Sequence, residues 1–156
     1  MKSESEIMKT HKHSKLDYNY ILDGIYIGTN QCCAMHFSEK LLKKGITADI
    51  SLEEIRLDQP FGVEFYTWIP VKNHRAPKPD QLSFGVAVIE KLVGLNRKIY
   101  VHCKNGHGRA PTLVAAYLIK KGMASRAAEA FIKSKRQSMH LETVQRRGLK
   151  NFQSWI

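Results

Sequence analysis

The stretch VHCKNGHGRAPT at residues 101–112 sets one cysteine at the head of a short, basic, glycine-rich segment. Cys103 is followed by Lys104, Asn105, Gly106, His107, Gly108 and Arg109, a C-x5-R spacing. Two glycines allow the backbone to curl so that successive N–H groups converge as an anion nest. A helix opening at Arg109 would aim the positive end of its dipole at the same point. Arg109 adds a planar fork that matches two oxygens of a phosphate. A thiolate at the base of an oxyanion cradle can attack phosphorus and hold a covalent phosphocysteine. His102, directly before the cysteine, is placed to orient the loop through hydrogen bonds. No G-K-[ST] follows and no acidic pair accompanies the segment for magnesium, so it is not a Walker-type nucleotide loop.

This chemistry requires a strand that ends at the cysteine and a helix that starts at the arginine. KIYVHC reads as that strand, and APTLVAAYLIKKG as that helix, opened by Pro111 and closed by Gly122. The helix is apolar nearly all round, which predicts burial. Upstream, ILDGIYIG reads as a hairpin about Asp23-Gly24, FSEKLLKKG as a helix stopped by Gly45, and ITADISL and FYTWIPV as strands. Leu82, Val86, Ile89, Leu92 and Val93 recur at helical spacing after a proline-bounded start. Ser125 is expected to cap a helix over RAAEAFIKSKR, Asp80 to cap the helix read in KPDQLSFGVAVIEKLVGLNRK, and a last helix covers ETVQRRGLKNFQ. Alternation of strands and helices predicts a single α/β domain over residues 16–156, its central, mainly parallel sheet flanked by helices. In such sheets, sites gather at the C-terminal ends of strands, where Cys103 stands. Tyr66, Trp68 and Phe84 are expected in the core.

The bulk of the 156-residue chain suits a soluble globular domain, with 43% hydrophobic and 25% charged residues. Residues 1–15 are polar and aperiodic and read as a flexible tail, in which His11 and His13 carry no expected role. No run approaches a membrane span and no signal-type stretch opens the chain. Three cysteines with Cys32 and Cys33 adjacent make a poor disulfide framework, so a reducing cytoplasmic setting and two buried thiols are expected. The net charge of +11 suits a phosphate-rich substrate. Much of it sits in Lys120, Lys121, Arg126, Lys133, Lys135, Arg136, Arg146, Arg147 and Lys150, which read equally well as solvated helix faces. These helices lack an interleaved aromatic stripe, so duplex nucleic acid is not an expected partner.

HCKNGHGR is similar to the active-site signature of the cysteine-dependent protein tyrosine and dual-specificity phosphatases. The likeness extends to YNYILDGIYIG, to IPVKNHRAP and to the helices after the signature. The resemblance implies Cys103 as nucleophile, Arg109 as the phosphate and transition-state clamp, and the backbone from Lys104 to Gly108 as the cradle. It implies a phosphorylated protein or another phosphate-rich molecule as substrate, and neither a metal nor an organic cofactor.

Two positions depart from that family. Its general acid is an aspartate on a loop before a proline, and IPVKNHRAP has Asn73 there, an amide with no proton to give a leaving group. His74 is the adjacent candidate. The family usually has Ser or Thr directly after the arginine, and this chain has Ala110; the GRAP segment resembles the phosphatases of regenerating liver. The chain ends in FQSWI without their prenylation cysteine, so no membrane anchor is expected. The resemblance therefore implies a phosphatase with a weakened acid and slow turnover. Two alternatives stay open. One is a phosphatase for polyanions such as phosphoinositides, inositol phosphates or RNA 5′-triphosphate ends, which Lys104 and His107 would suit as they do in lipid phosphatases with tensin homology. The other is a module that binds phosphate without hydrolysing it.

Overall fold

A computed structural model describes residues 15–156. The expected tail, apart from Lys15, lies outside the described residues, as do His11 and His13. The hairpin forms where Asp23-Gly24 predicts it. Both residues hold positive φ (50° and 79°), as a two-residue turn between right-twisted strands requires. The turn joins β1 (Tyr18–Leu22) antiparallel to β2 (Ile25–Gly28). A short 3-10 turn (Asn30–Cys32) and α1 (Glu39–Lys43) lead to β3 (Ile46–Ser51) through Gly45, whose φ of 85° ends the helix. β4 (Phe65–Trp68), α2 (Pro79–Gly94), β5 (Lys98–His102), α3 (Arg109–Lys120), α4 (Ser125–Lys135) and α5 (Thr143–Trp155) complete the chain.

The strand order is β1-β2-β5-β3-β4, and every pairing except the hairpin is parallel. The expected α/β class with a mainly parallel sheet is therefore the observed one. β5 is central, paired on both sides by β2 and β3, so its C-terminal end is held on two flanks. Alternation along β5 sends Ile99 and Val101 into the main core and Tyr100 into a smaller cluster with Cys32, Cys33, Phe37, Leu41 and Ile46 on the other face. α3 packs against α2, α4 and α5. Every residue of it from Arg109 to Ile119 is buried, which fits its apolar circumference.

Several local expectations are corrected. β4 stops at Trp68, and Tyr66, Trp68 and Phe84 are 37%, 41% and 56% exposed rather than core. β4 is one of the sheet's two edge strands, so only one flank covers its side chains. Trp68 Nε1 and Tyr66 Oη instead meet the main chain at Glu53 and Asp58. Asp80 lies one residue past the helix start and caps nothing. Gln81 performs that task by reaching back to the Lys78 N–H at 3.0 Å. Ser125 is the first helical residue of α4, after an Ala124 cap. Cys32 and Cys33 are buried, but as a disulfide with each other rather than as two thiols, and Cys103 is free.

Candidate active site

Strand β5 delivers Cys103, 3% exposed, to the floor of a cavity of about 240 Å³ at the C-terminal edge of the sheet. Residues 103–109 curl round it. What shapes the curl is the fate of the carbonyls. Lys104 O accepts from Asn30 N (3.0 Å), His107 O from His140 N (2.9 Å) and Gly108 O from Thr112 N (2.9 Å). Asn105 O and Gly106 O accept from Arg136, through Nη2 at 2.8 Å and Nε at 2.9 Å. Five successive carbonyls are thus turned outward. In a trans peptide the following N–H points the opposite way, so the N–H groups of residues 105–109 face inward as a nest. Gly106 makes the bend at φ 69°, and a Cβ there would stand 2.6 Å from Gly28 O. A Cβ at Gly108 would meet the amide of Gln145 at 2.8 Å.

Arg109, also 3% exposed, is braced from behind. Its Nη1 donates to Val71 O (2.8 Å) and Leu52 O (3.3 Å), and Nη2 lies 3.4 Å from Glu53 Oε1. Glu53, itself buried, accepts from Asn30 Nδ2 through its other oxygen at 2.8 Å. The guanidinium is therefore held in one orientation at the cavity, as bidentate recognition of an oxyanion requires. Ala110 is fully buried and brings no hydroxyl to the loop. The Thr112 hydroxyl, one turn on, donates to Gly108 O at 2.7 Å.

Behind Cys103, His102 is fully buried. Nδ1 lies 3.2 Å from Cys103 O and Nε2 donates to Asp58 Oδ2 at 2.8 Å, with Asp49 Oδ1 at 3.1 Å. Burial works against the imidazolium, but the two carboxylates outweigh it and push His102 up to about 10. Burial likewise pushes Asp49 up, to about 6, against the pull of His102. Both ring nitrogens thus carry protons, and Nδ1–H fixes the carbonyl of the cysteine. His107 is shifted the other way, lowered first by burial and then by Arg136 and His140, which disfavour its imidazolium.

Asn73 and His74 both line the cavity rim. Asn73 Oδ1 accepts from the His74 N–H at 3.1 Å. His74 sits at φ 65°, unusual for a side chain of its size, and its Nδ1 lies 2.6 Å from Glu142 Oε1. The structure thus gathers Cys103, Lys104, Asn105, His107, Gly108, Arg109, Asn73 and His74 round one cavity, with Gly106 bending the loop and His102 and Ala110 beneath it.

Glu53, Arg136, Gln145 and Glu142 were not singled out from the sequence. Arg136 stood there among basic residues read either as contacts for a phosphate-rich substrate or as solvated faces, yet it is fully buried and ties the loop to Asn19 Oδ1 at 2.8 Å. Its one available signal was its place at the end of an amphipathic helix, next to the apolar Ile132 turn. Arg136→Met would leave two loop carbonyls without donors. It is expected to lower stability by about 2–4 kcal/mol, read as a lower urea midpoint at unchanged m.

Residues 25–154 match the family described as dual specificity phosphatase, catalytic domain. The human phosphatidylglycerophosphatase and protein-tyrosine phosphatase 1 is 37% identical over 97 residues, covering 61% of this chain and 48% of that protein. The chain spans less than half the length of the curated relatives it matches. Among solved structures, PTPMT1 superposes with a TM-score of 0.75 at 26% identity, covering 89% of this chain and 95% of that one. Human DUSP28 superposes at 0.78 and 18% identity, covering 88% and 96%. The match over residues 25–154 takes in the whole sheet but its first strand, the loop 103–109 and all the helices packed behind it, so the chain belongs to the dual specificity phosphatase catalytic-domain family.

Proposed function

We propose that this chain hydrolyses phosphomonoesters through a phosphocysteine on Cys103, with Asn73 at the acid position slowing release of poor leaving groups. The observation that carries this reading is the free Cys103 under an inward-facing N–H nest beside a braced Arg109. The sulfur lone pair forms the P–S bond as the ester P–O bond breaks. The departing oxygen must then take a proton from water, because the Asn73 amide has none to give. Water next cleaves the P–S bond, returning the cysteine and releasing inorganic phosphate. Ala110 offers no hydroxyl to the departing thiolate in that second step. The chemistry needs a free thiol, which a reducing, cytoplasmic compartment maintains.

The substrate class is a phosphate on a polyanionic molecule in preference to a phosphotyrosine side chain alone. A groove of about 700 Å³ adjoins the cavity and shares His140 with it. Arg126, Lys133, Arg146 and Lys150 line it, and Arg146 is the one that an acid, Glu129, meets at 2.9 Å. The human relative is named both a phosphatidylglycerophosphatase and a protein-tyrosine phosphatase, so both substrate classes belong in the test. Phosphate release should therefore be compared between a phosphotyrosine peptide and a soluble polyol bisphosphate, for the protein and for Arg126→Glu/Lys150→Glu. Charge reversal is expected to raise KM for the bisphosphate at least about tenfold, one such pair contact being worth over 1 kcal/mol, and to leave the peptide unchanged. Equal effects on both would exclude the groove from substrate binding.

A further inference from the structure

Across the sheet from the cavity lies a set of side chains of which only His102 touches the candidate site. Alternation places Asp49 of β3 and His102 of β5 on the face opposite the main core, beneath the 3-10 turn that carries Cys32 and Cys33. Asp58 closes the set from the segment after β3. One ligand atom from each of these five buried residues lies within 4.8 Å of every other. Cys33 Sγ is 3.5 Å from His102 Nε2. That nitrogen has a single N–H and directs it to Asp58, which also pairs with Arg56 at 3.1 Å. Asp49, 1% exposed, is left facing the cluster with neither carboxylate oxygen hydrogen-bonded. Its Oδ1 stands 3.1 Å from His102 Nε2, whose one N–H is spent on Asp58, so a metal ion replacing that proton would meet both Asp49 and His102.

We propose that reduction of the Cys32–Cys33 disulfide opens a buried zinc-class metal site made of Cys32 Sγ, Cys33 Sγ, His102 Nε2 and one oxygen of Asp49. Two thiolates, an imidazole and a carboxylate form the four-ligand, borderline-soft donor set of tetrahedral zinc. Bond lengths of about 2.0–2.3 Å place such ligands about 3.3–3.8 Å apart. The atoms already lie within 4.8 Å, so closure needs shifts of side chains rather than of the sheet. The Arg56 guanidinium, 3.7 Å from Cys33 Sγ, offsets thiolate charge, and Asp58 remains its partner. The reductant is a dithiol, which gives two electrons and two protons to the disulfide and itself closes to a disulfide. The divalent ion then displaces the two thiol protons and the Nε2 proton to solvent, forming two metal–sulfur bonds, one to nitrogen and one to oxygen, with no further change of oxidation state. His102 holds the Cys103 carbonyl through its other nitrogen, so the site would link metal and redox state to the backbone of the candidate nucleophile.

The test is anaerobic titration of the full chain with cobalt(II) after reduction by a phosphine and its removal. One equivalent is expected to give sulfur-to-cobalt charge-transfer absorption together with the visible bands of tetrahedral cobalt, and zinc should bleach both. The unreduced protein and Cys33→Ser are expected to lose the signal. Cys103→Ser should keep it, and Asp49→Asn should weaken cobalt affinity at least about tenfold, as loss of one anionic ligand does. Circular dichroism establishes that each variant is folded; if Cys33→Ser is not, Asp49→Asn and Cys103→Ser decide. A reduced protein without the signal, a signal lost with Cys103, or affinity untouched by Asp49→Asn would overturn the proposal.

Discussion

Asn73→Asp is expected to raise kcat on alkyl phosphates by about 10²–10⁴-fold, the usual worth of a positioned general acid. Asn73 lines the same cavity as Cys103 and Arg109, and its Oδ1 already accepts the His74 N–H. A carboxyl group there keeps that acceptor and adds a proton where the ester oxygen departs. The gain should shrink toward nothing on nitrophenyl-type esters, whose leaving groups depart unprotonated. Steady-state kinetics on one alkyl and one activated aryl phosphate checks both halves. Equal gains on the two would mean that the substitution acts on binding and not on proton transfer. His74 is the competing donor, bound through Nδ1 to Glu142. If His74 already supplies the proton, Asn73→Asp changes little, and His74→Gln becomes the damaging substitution.

Arg109→Lys is expected to cost about 10²–10³-fold in kcat/KM, the penalty for losing one preorganised oxyanion donor. The guanidinium is fixed by two carbonyls, Leu52 O and Val71 O, and by Glu53, so its remaining N–H groups are aimed before substrate arrives. Lysine keeps the charge but is a flexible point donor that cannot bridge two oxygens. The loss should fall mainly on kcat, since the fork counts most when charge spreads over the transferring phosphoryl group. A purely KM effect would reduce Arg109 to an anchor for the ground-state phosphate. Inorganic phosphate inhibition, measured beside the kinetics, separates the two.

What could be seen in the sequence was whatever the chain keeps contiguous. Strand, loop and helix over residues 98–120 follow one another without a break, so β5, a glycine-bent turn from Cys103 to Arg109 and the buried α3 were legible in glycine positions and apolar patterning. The Asp23-Gly24 turn and the parallel class were legible for the same reason. What stayed hidden acts across distance. Arg136 reaches the carbonyls of Asn105 and Gly106 from α4, and Glu53 reaches Arg109 from the end of β3. A lone basic or acidic residue on an amphipathic pattern reads as solvated until the tertiary contact buries it. Trp68 and Tyr66 misled in the opposite sense. Aromatic strand residues read as core, but β4 is an edge strand, and these two side chains hydrogen-bond the main chain at Glu53 and Asp58 instead. The facing of Asp49 and His102 depends on the register of β3 against β5, which only the assembled sheet supplies.

The central claim is that Cys103 carries the phosphoryl group while the leaving oxygen departs without enzymic protonation. Rapid-mixing hydrolysis of an aryl phosphate series of rising leaving-group pKa, by this protein and by Cys103→Ser, tests it most directly. A stoichiometric burst that vanishes in Cys103→Ser, with burst rates falling steeply along the series, is the predicted result. A burst that survives in Cys103→Ser, or no burst while phosphate still binds the cavity, would contradict it.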